Sequence, residues 1–490
     1  MQSILPQTWL ASASEAWLAA APTISRATFL RWLGLGLALR LVLSPLYGTQ
    51  DVEWWKAWGT FAVHDSLIRV YGAPDDEMLR LWRSGKTREE IRSATQTVIP
   101  FEPYQYFRKE YRLTQPPIYI YSLYLSTRLY GLIAPDLRNS RLFNAFVNLQ
   151  PILASGLLTW LIVLFVRTAV SVAAGRLAGL AYWLNPVVLL NSPIQGYQDP
   201  LCALFATVSV IAAFRRRIEW AFAFLVFSFL TKPQGVLIAP IIVVIAFRQH
   251  SASRNLRAWV VAAATGLLVA LPYLVTGHVL SVIQGVLSIS DSSNDLSRQS
   301  LNLWWPVQYL YNAIAAIRGG QMSAVTALLG GSFCWSCDVP ASQLTPLVGF
   351  PVQILGLTLL AGFTALNLRR VWMRQSTDQF VVIEAALLQV YAYFILRVGV
   401  QGNHYFTLIP LFALICARSA RWLKLYVAVS LVFFVQDFIF YGLGRDFNYG
   451  VRLLSQMHLG WTTNAVAAAN IILFAWLCRL AYRDPISTRS

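Results

Sequence analysis

Charge is scarce in this 490-residue chain: 12% of residues are Asp, Glu, Lys or Arg, and the acids are scarcest, 22 against 39 bases. Soluble domains carry roughly twice that share of charge, and disordered segments are poor in apolar residues. With 57% hydrophobic residues and a mean hydropathy of +0.53, the chain belongs to neither class and reads as a polytopic membrane protein. Cysteine is also rare, five residues in all, with Cys202, Cys416 and Cys478 in or beside apolar runs. That leaves the pair in Cys334-Trp335-Ser336-Cys337, and one pair alone argues against a four-ligand zinc site. A thioredoxin-like role is disfavoured because no strand–helix–strand pattern surrounds the motif; a small disulfide loop is expected there in an oxidising compartment. A net charge of +17 raises the question of nucleic acid, but the bases fall in small clusters between apolar runs and form no continuous basic surface. Neither a convincing internal repeat nor a clear cleavable signal peptide is evident.

What is present is a succession of apolar stretches near the length of a bilayer crossing, roughly 20 residues each. They lie near 28–47, 143–166, 177–194, 200–214, 218–231, 234–247, 258–277, 346–367, 379–397, 403–417, 422–441 and 462–479. The expectation is an all-α membrane domain over 1–490 with about twelve transmembrane helices, eleven to thirteen. The apolar stretch 116–133 opens with Pro-Pro and carries four tyrosines, so it reads as interfacial or re-entrant.

Arginines set the expected orientation. Arg167 with Arg176, Arg215 to Arg217, Arg248 with Arg254 and Arg257, Arg369 with Arg370 and Arg374, and Arg418 with Arg421 and Lys424 occupy alternate loops. These loops and both termini are expected on the cytoplasmic side. The other side receives two large loops, 48–142 and 278–345, and the short turns holding Asp199, Lys232 and His404. The stretch 51–112 holds ten acids and ten bases and is expected to form surface amphipathic helices. Its aromatics, Trp54, Trp55, Trp58, Trp82, Tyr71, Tyr104, Tyr106 and Tyr111, read as a headgroup-level anchoring belt rather than as platforms for direct substrate stacking.

Three polar islands interrupt the apolar pattern on that face: Asp51 to Trp55, Gln195 to Asp199, and Gln401 to Tyr405. Ionised groups near a bilayer are costly and usually line a polar cavity. Asp51, just past the first helix, is placed to take a proton from an attacking hydroxyl, with Glu53 its nearby competitor; the plainer reading is a solvated loop charge. Lys232 separates two apolar helices, and Arg397 and His404 flank another break on the same side. Cations converging from separate helices suit a phosphate whose charge grows as a bond to it breaks, whereas one lysine alone reads as a headgroup anchor. Arg40, inside the first helix, is expected either to pair with a carboxylate or carbonyl in the bundle or to meet a lipid phosphate. Asp437 is its candidate partner or a cavity residue, and Glu384 is expected at the cytoplasmic interface.

Gly48-Thr49-Gln50-Asp51-Val52-Glu53-Trp54-Trp55, followed by Thr114-Gln115-Pro116-Pro117-Ile118-Tyr119, resembles the acidic first-loop motif and Tyr-Pro-Pro-Leu segment of the GT-C glycosyltransferases. The nearest likeness is to dolichyl-phosphate-glucose glucosyltransferases and to bacterial mannosyltransferase-like proteins related to the second mannosyltransferase of GPI-anchor synthesis. Further matches follow in the family's order: Asn185-Pro186, Gly196 to Asp199, Lys232-Pro233-Gln234 leading to Pro240, Ser297 to Trp305, and Gly399 to Tyr405 leading to Pro410. They span roughly residues 30 to 415 as scattered motifs. The chain departs from the pattern where Gln401-Gly402 replaces His-Glu and Thr114-Gln115 replaces an acidic-Tyr pair, so His404 carries its turn alone.

The resemblance implies an inverting hexosyltransferase that takes mannose or glucose from a polyprenyl-phosphate donor to a lipid-linked, glycan or protein hydroxyl. The reaction would occur on the extracytoplasmic or lumenal face of a bacterial cytoplasmic or endoplasmic reticulum membrane. Asp51 would be the general base. Lys232, Gln234, Arg397 and His404 would surround the donor phosphate, and Glu53, Gln198, Asp199, Gln299, Asn302, Trp304 and Asn403 would shape the sugar and acceptor pocket. No cofactor is required by these residues, although Asp51, Glu53 and Asp199 could gather round a divalent metal. The rivals are a transporter or flippase of lipid-linked sugars, against which the missing repeat and the one-sided polar islands argue, and a lipid-linked-glycan ligase or polymerase.

Overall fold

The computed structural model describes residues 24–49, 51–71, 113, 115–287, 295–320, 323, 339–374, 379–443 and 460–483. Among these it is helical throughout, with two isolated β-bridges, Asp295 to Pro340 and Arg298 to Gln401. The helices are α1 (Arg26–Leu43), α2 (Asp51–Phe61), α3 (Pro117–Gly131), α4 (Arg141–Ala169), α5 (Val172–Trp183) and α6 (Pro186–Leu190). There follow α7 (Asp199–Phe214), α8 (Ile218–Phe229), α9 (Ala239–Gln249), α10 (Ala252–Val275), α11 (Val279–Leu287) and α12 (Trp304–Arg318). The last six are α13 (Ala341–Val348), α14 (Val352–Arg374), α15 (Val381–Leu396), α16 (Leu408–Cys416), α17 (Ala420–Tyr441) and α18 (Gly460–Arg483). Tyr104, Tyr106, Tyr111, Trp82, Thr114, Cys334 and Cys337 lie outside the described residues, as do most of the expected surface helices of 48–142.

Among the described residues five helices are long and apolar enough to cross a membrane, α4, α10, α14, α17 and most of α18, and a sixth span results if α5 and the segment Pro186–Gln195 count as one broken crossing, bent by 43°. The remaining apolar helices are shorter: Asp199–Phe214, Ile218–Phe229, Pro233–Gln249, Val381–Leu396 and Gly402–Cys416. Mean hydropathy registers apolar character and not helix length, so twelve apolar stretches resolve into two populations. Several long helices carry apolar side chains on their outer faces, such as Leu267, Leu268 and Leu271 on α10. The short α15 and α16 are enclosed, with every residue from Val381 to Ile395 and from Leu408 to Cys416 buried. A helix apolar all round belongs inside a bundle, and these two form its core.

A second core is aromatic. Val52, Trp54, Trp55 and Trp58 of α2 pack with Tyr119, Ile120 and Leu123 of α3, Phe143 and Val147 of α4, and Tyr197. The three tryptophans are 4–8% exposed, which corrects the anchoring belt expected of them: they hold α2 onto the bundle. The apolar stretch 116–133 forms the 15-residue α3, entered through Pro116 and Pro117, where a missing N–H costs nothing at a helix start. Glu384 is also corrected: it is 2% exposed and held by Arg370 and by Arg418 at 3.3 Å, a closed triad at one end of the core.

Arg40 meets carbonyls, donating to Gly36 O at 3.0 Å and Trp183 O at 2.6 Å, with its guanidinium 3.5 Å from the Trp183 ring centroid. Asp437 accepts instead from the Tyr405 hydroxyl at 2.7 Å.

Candidate functional site

The three polar islands meet. Asp51 opens α2, where the helix dipole favours a carboxylate, and its Oδ2 accepts from the Tyr197 hydroxyl at 3.0 Å. The Tyr197 ring in turn lies 5.7 Å from the Lys232 ammonium, so the two charges stand one tyrosine side chain apart. Lys232 pairs with Asp199 Oδ1, and Asp199 Oδ2 accepts from Asn191 at 3.2 Å and from Asn403 at 3.1 Å. Three side chains thus converge on Asp199, from its own turn, from the Lys232 turn and from the Asn403 turn. Tyr119 and Tyr441 both feel the charges of Asp51 and Asp199, which places both tyrosines beside this centre.

Local chemistry explains each element's approach. Asn185 caps α6, accepting from the Val187 N–H at 3.0 Å, while its amide donates to Tyr426 and Ser430 of α17. After α6 the chain widens into a π-turn, Asn191–Gln195, containing Pro193, which has no N–H for an α-helical bond. Gly196 then reverses the chain at φ +69°, and a Cβ there would meet Asn148 Oδ1 at 2.2 Å. The apolar stretch 177–194 that read as a continuous helix is thus broken between Trp183 and Pro186, with a 43° bend, and the chain reverses just past it at Gly196. This reversal turns Asn191 toward Asp199 at the start of α7. Lys232 precedes the 3-10 turn Pro233–Ile238 in an extended conformation, after α8 has ended.

His404 sits in the 3-10 turn Gly402–Tyr405, held by Gln436, whose amide donates to Gly402 O at 2.8 Å and accepts from the Leu301 N–H at 3.0 Å. The imidazole Nδ1 accepts from the Gln401 N–H at 3.4 Å, and Nε2 lies 2.7 Å from the Gln234 amide. The atom of Gln234 at that distance is its amide nitrogen, while its amide oxygen has no partner among the described residues. The charges of Lys232, Arg397 and Arg298 all act on this ring. Arg397 ends α15 with its guanidinium 5.5 Å from the Tyr393 ring centroid, and among the described residues no carboxylate pairs with it. Asp51, Gln234, Arg397 and His404 are half-buried, forming the accessible rim of a centre whose floor is the buried Lys232 and Asp199.

Not every candidate from the sequence reaches this centre. Glu53 pairs with Lys56 at 2.6 Å and accepts from Asn139 at 3.0 Å, so Asp51, Glu53 and Asp199 do not gather as an oxygen ligand set. Among the described residues no three His, Cys, Asp or Glu side chains group as metal ligands. Asn302 donates to the carbonyls of Phe394 and Arg397 and accepts from the Trp304 N–H at 2.9 Å. Trp304 donates to Leu396 O at 2.8 Å. These two fasten α12 to the end of α15 and position Arg397; their polar groups are committed to the backbone. Gln299 is exposed, at φ +59°, with its carbonyl packed against Gly402. Gln198 is fully buried beside Asp199. The sequence reading left out Asn191 and Tyr197 as site residues. A polar Asn-Ser-Pro at the end of an apolar run was the available signal for the first.

No protein-family model matches the chain, and no curated protein matches it.

Proposed function

We propose that the chain is a membrane-embedded glycosyltransferase that moves a hexose, mannose or glucose, from a polyprenyl-phosphate donor to a hydroxyl acceptor with inversion. The observation that carries this reading is the Lys232 ammonium: it is buried, shares a tyrosine with Asp51, and donates one hydrogen bond, to Asp199, among the described residues. A buried ammonium has three N–H groups to satisfy, and the two left over suit an anion. In the proposed step Asp51 takes the acceptor's proton as its oxygen bonds to the anomeric carbon. The bond from that carbon to the phosphate oxygen breaks, and the phosphate keeps the electron pair. Lys232 and Arg397 stabilise the charge that builds on the phosphate, and His404 borders the same space with its Nε2 against the Gln234 amide nitrogen.

Helix length supports a donor carried by lipid. From the Arg215 to Arg217 turn to the Lys232 turn runs the 12-residue α8, and from Glu384 to Arg397 runs most of the 16-residue α15. At 1.5 Å per residue these helices are roughly 18 and 24 Å long, short of a hydrocarbon core about 30 Å thick. With the arginine turns at one membrane surface, helices of these lengths would leave the polar centre within the depth of the bilayer, which an amphiphile reaches laterally. The direct test is transfer of labelled hexose from a polyprenyl-phosphate sugar in proteoliposomes, with Asp51→Asn as control. Movement of the intact lipid across the membrane without transfer would overturn this reading in favour of a flippase, and transfer of an oligosaccharide in place of a hexose would favour a ligase or polymerase.

A further inference from the structure

Between Asn191 and Gln198 six side-chain polar atoms are enclosed without a hydrogen-bond partner: Asn191 Oδ1, Ser192 Oγ, both amide atoms of Gln195 and both of Gln198. All four residues are 0% exposed, so no water-sized surface remains on them. Nine in ten buried polar groups in folded proteins are satisfied, and each one left unmade destabilises the fold. A dense run of unmet groups beside the Asp199–Lys232 pair is therefore a local conflict, of the kind that persists at working sites. The backbone of the segment is irregular: it holds a π-turn, Pro193 offers no N–H, and Gly196 is left-handed. Carboxamides that offer a donor and an acceptor each are suited to vicinal hydroxyls.

We infer that the Asn191–Gln198 turn is a hydroxyl-binding wall, in which Gln195 and Gln198 turn out of the packed interior to hydrogen-bond the ring hydroxyls of the bound sugar. This deepens the transferase reading and rests on it. Gln195 then contributes to sugar recognition while destabilising the unliganded fold, and the two effects separate experimentally.

The test uses purified protein and two probes, farnesyl phosphate and farnesyl-phosphate mannose or glucose, with thermal unfolding as the readout. In the wild type the sugar-bearing lipid raises the midpoint more than the bare lipid phosphate. Gln195→Leu and Gln198→Leu, close in size and without unmet groups, leave the unliganded midpoint unchanged or higher and abolish the preference for the sugar, a loss of about tenfold or more in affinity. Unliganded midpoints that fall in both variants, or variants that keep the preference, overturn the wall. Equal shifts by the two lipids in the wild type overturn it while leaving the phosphate site standing, and no shift by either overturns both readings.

Discussion

Among the described residues two lysines buried to under 10% exposure pair with a carboxylate, Lys56 with the half-buried Glu53 and Lys232 with Asp199. Around Lys56 the ammonium also donates to Asn139 at 2.5 Å and Asn144 at 2.9 Å, so all three of its N–H groups are used. Around Lys232 the neighbouring amides, Asn191 and Asn403, turn to the carboxylate instead, and the ammonium keeps two N–H groups in reserve. The difference teaches that burial and pairing do not identify a working charge; what identifies it is the capacity left after pairing. The Glu384 triad with Arg370 and Arg418 makes a related contrast, because Arg370 leaves Nε and Nη1 without partners but lies at the opposite end of α15 from Asp51 and His404.

The largest effect should come from Asp51, the proposed base. Asp51→Asn is expected to lower transfer by about 100- to 10,000-fold with an unchanged thermal midpoint, since the amide keeps the Tyr197 contact but takes no proton. Undiminished turnover would remove Asp51 from the chemistry. Next comes the comparison itself. Neutralising both members of one pair avoids stranding a buried charge, which costs about 3–5 kcal/mol. Asp199→Asn with Lys232→Gln should therefore fold and lose at least about a hundredfold in transfer, by analogy with the loss of a donor to a developing charge. Glu53→Gln with Lys56→Gln should stay within a few-fold of wild type per folded molecule. Equal losses in the two double variants would erase the distinction between the pairs.

Gly196→Ala sharpens the same contrast through the backbone. A left-handed alanine costs about 1–2 kcal/mol, and its Cβ would meet Asn148 Oδ1 at 2.2 Å, so a lowered midpoint in thermal unfolding should accompany weakened donor binding. An unaltered midpoint would mean that this turn is free to rearrange. The smallest effect is that of bilayer thickness. Moving from short-chain to long-chain phosphatidylcholines should raise the KM for donor by roughly two- to fivefold, because mismatch costs fractions of a kcal/mol per Å and deepens the centre relative to the headgroups. A flat or falling KM would place the centre at the surface.

Much of the architecture was legible in the residues because the bilayer imposes a simple rule: backbone groups close on themselves in helices and apolar side chains cover them. The helical pattern breaks at the polar islands, and new elements start there, α2 at Asp51, α7 at Asp199 and a 3-10 turn at Gly402. The number of full-length spans was not legible, since the short α8 and α16 are as apolar as any crossing and only their neighbours decide that they stop partway. The tryptophans at 54, 55 and 58 misled for a similar reason: an indole suits both a headgroup belt and a buried aromatic core, and the choice depends on whether α3 and α4 cover it.

By itself, the order of residues determined the helical class, the breaks between helices and the polar types available at them, because these follow from local backbone chemistry and from the cost of charge near lipid. Which of those polar groups stand ready was decided by tertiary structure alone. A donor's remaining capacity depends on acceptors contributed by distant segments, Asn139 and Asn144 for Lys56 and the Asp199 turn for Lys232, and no local pattern records who arrives.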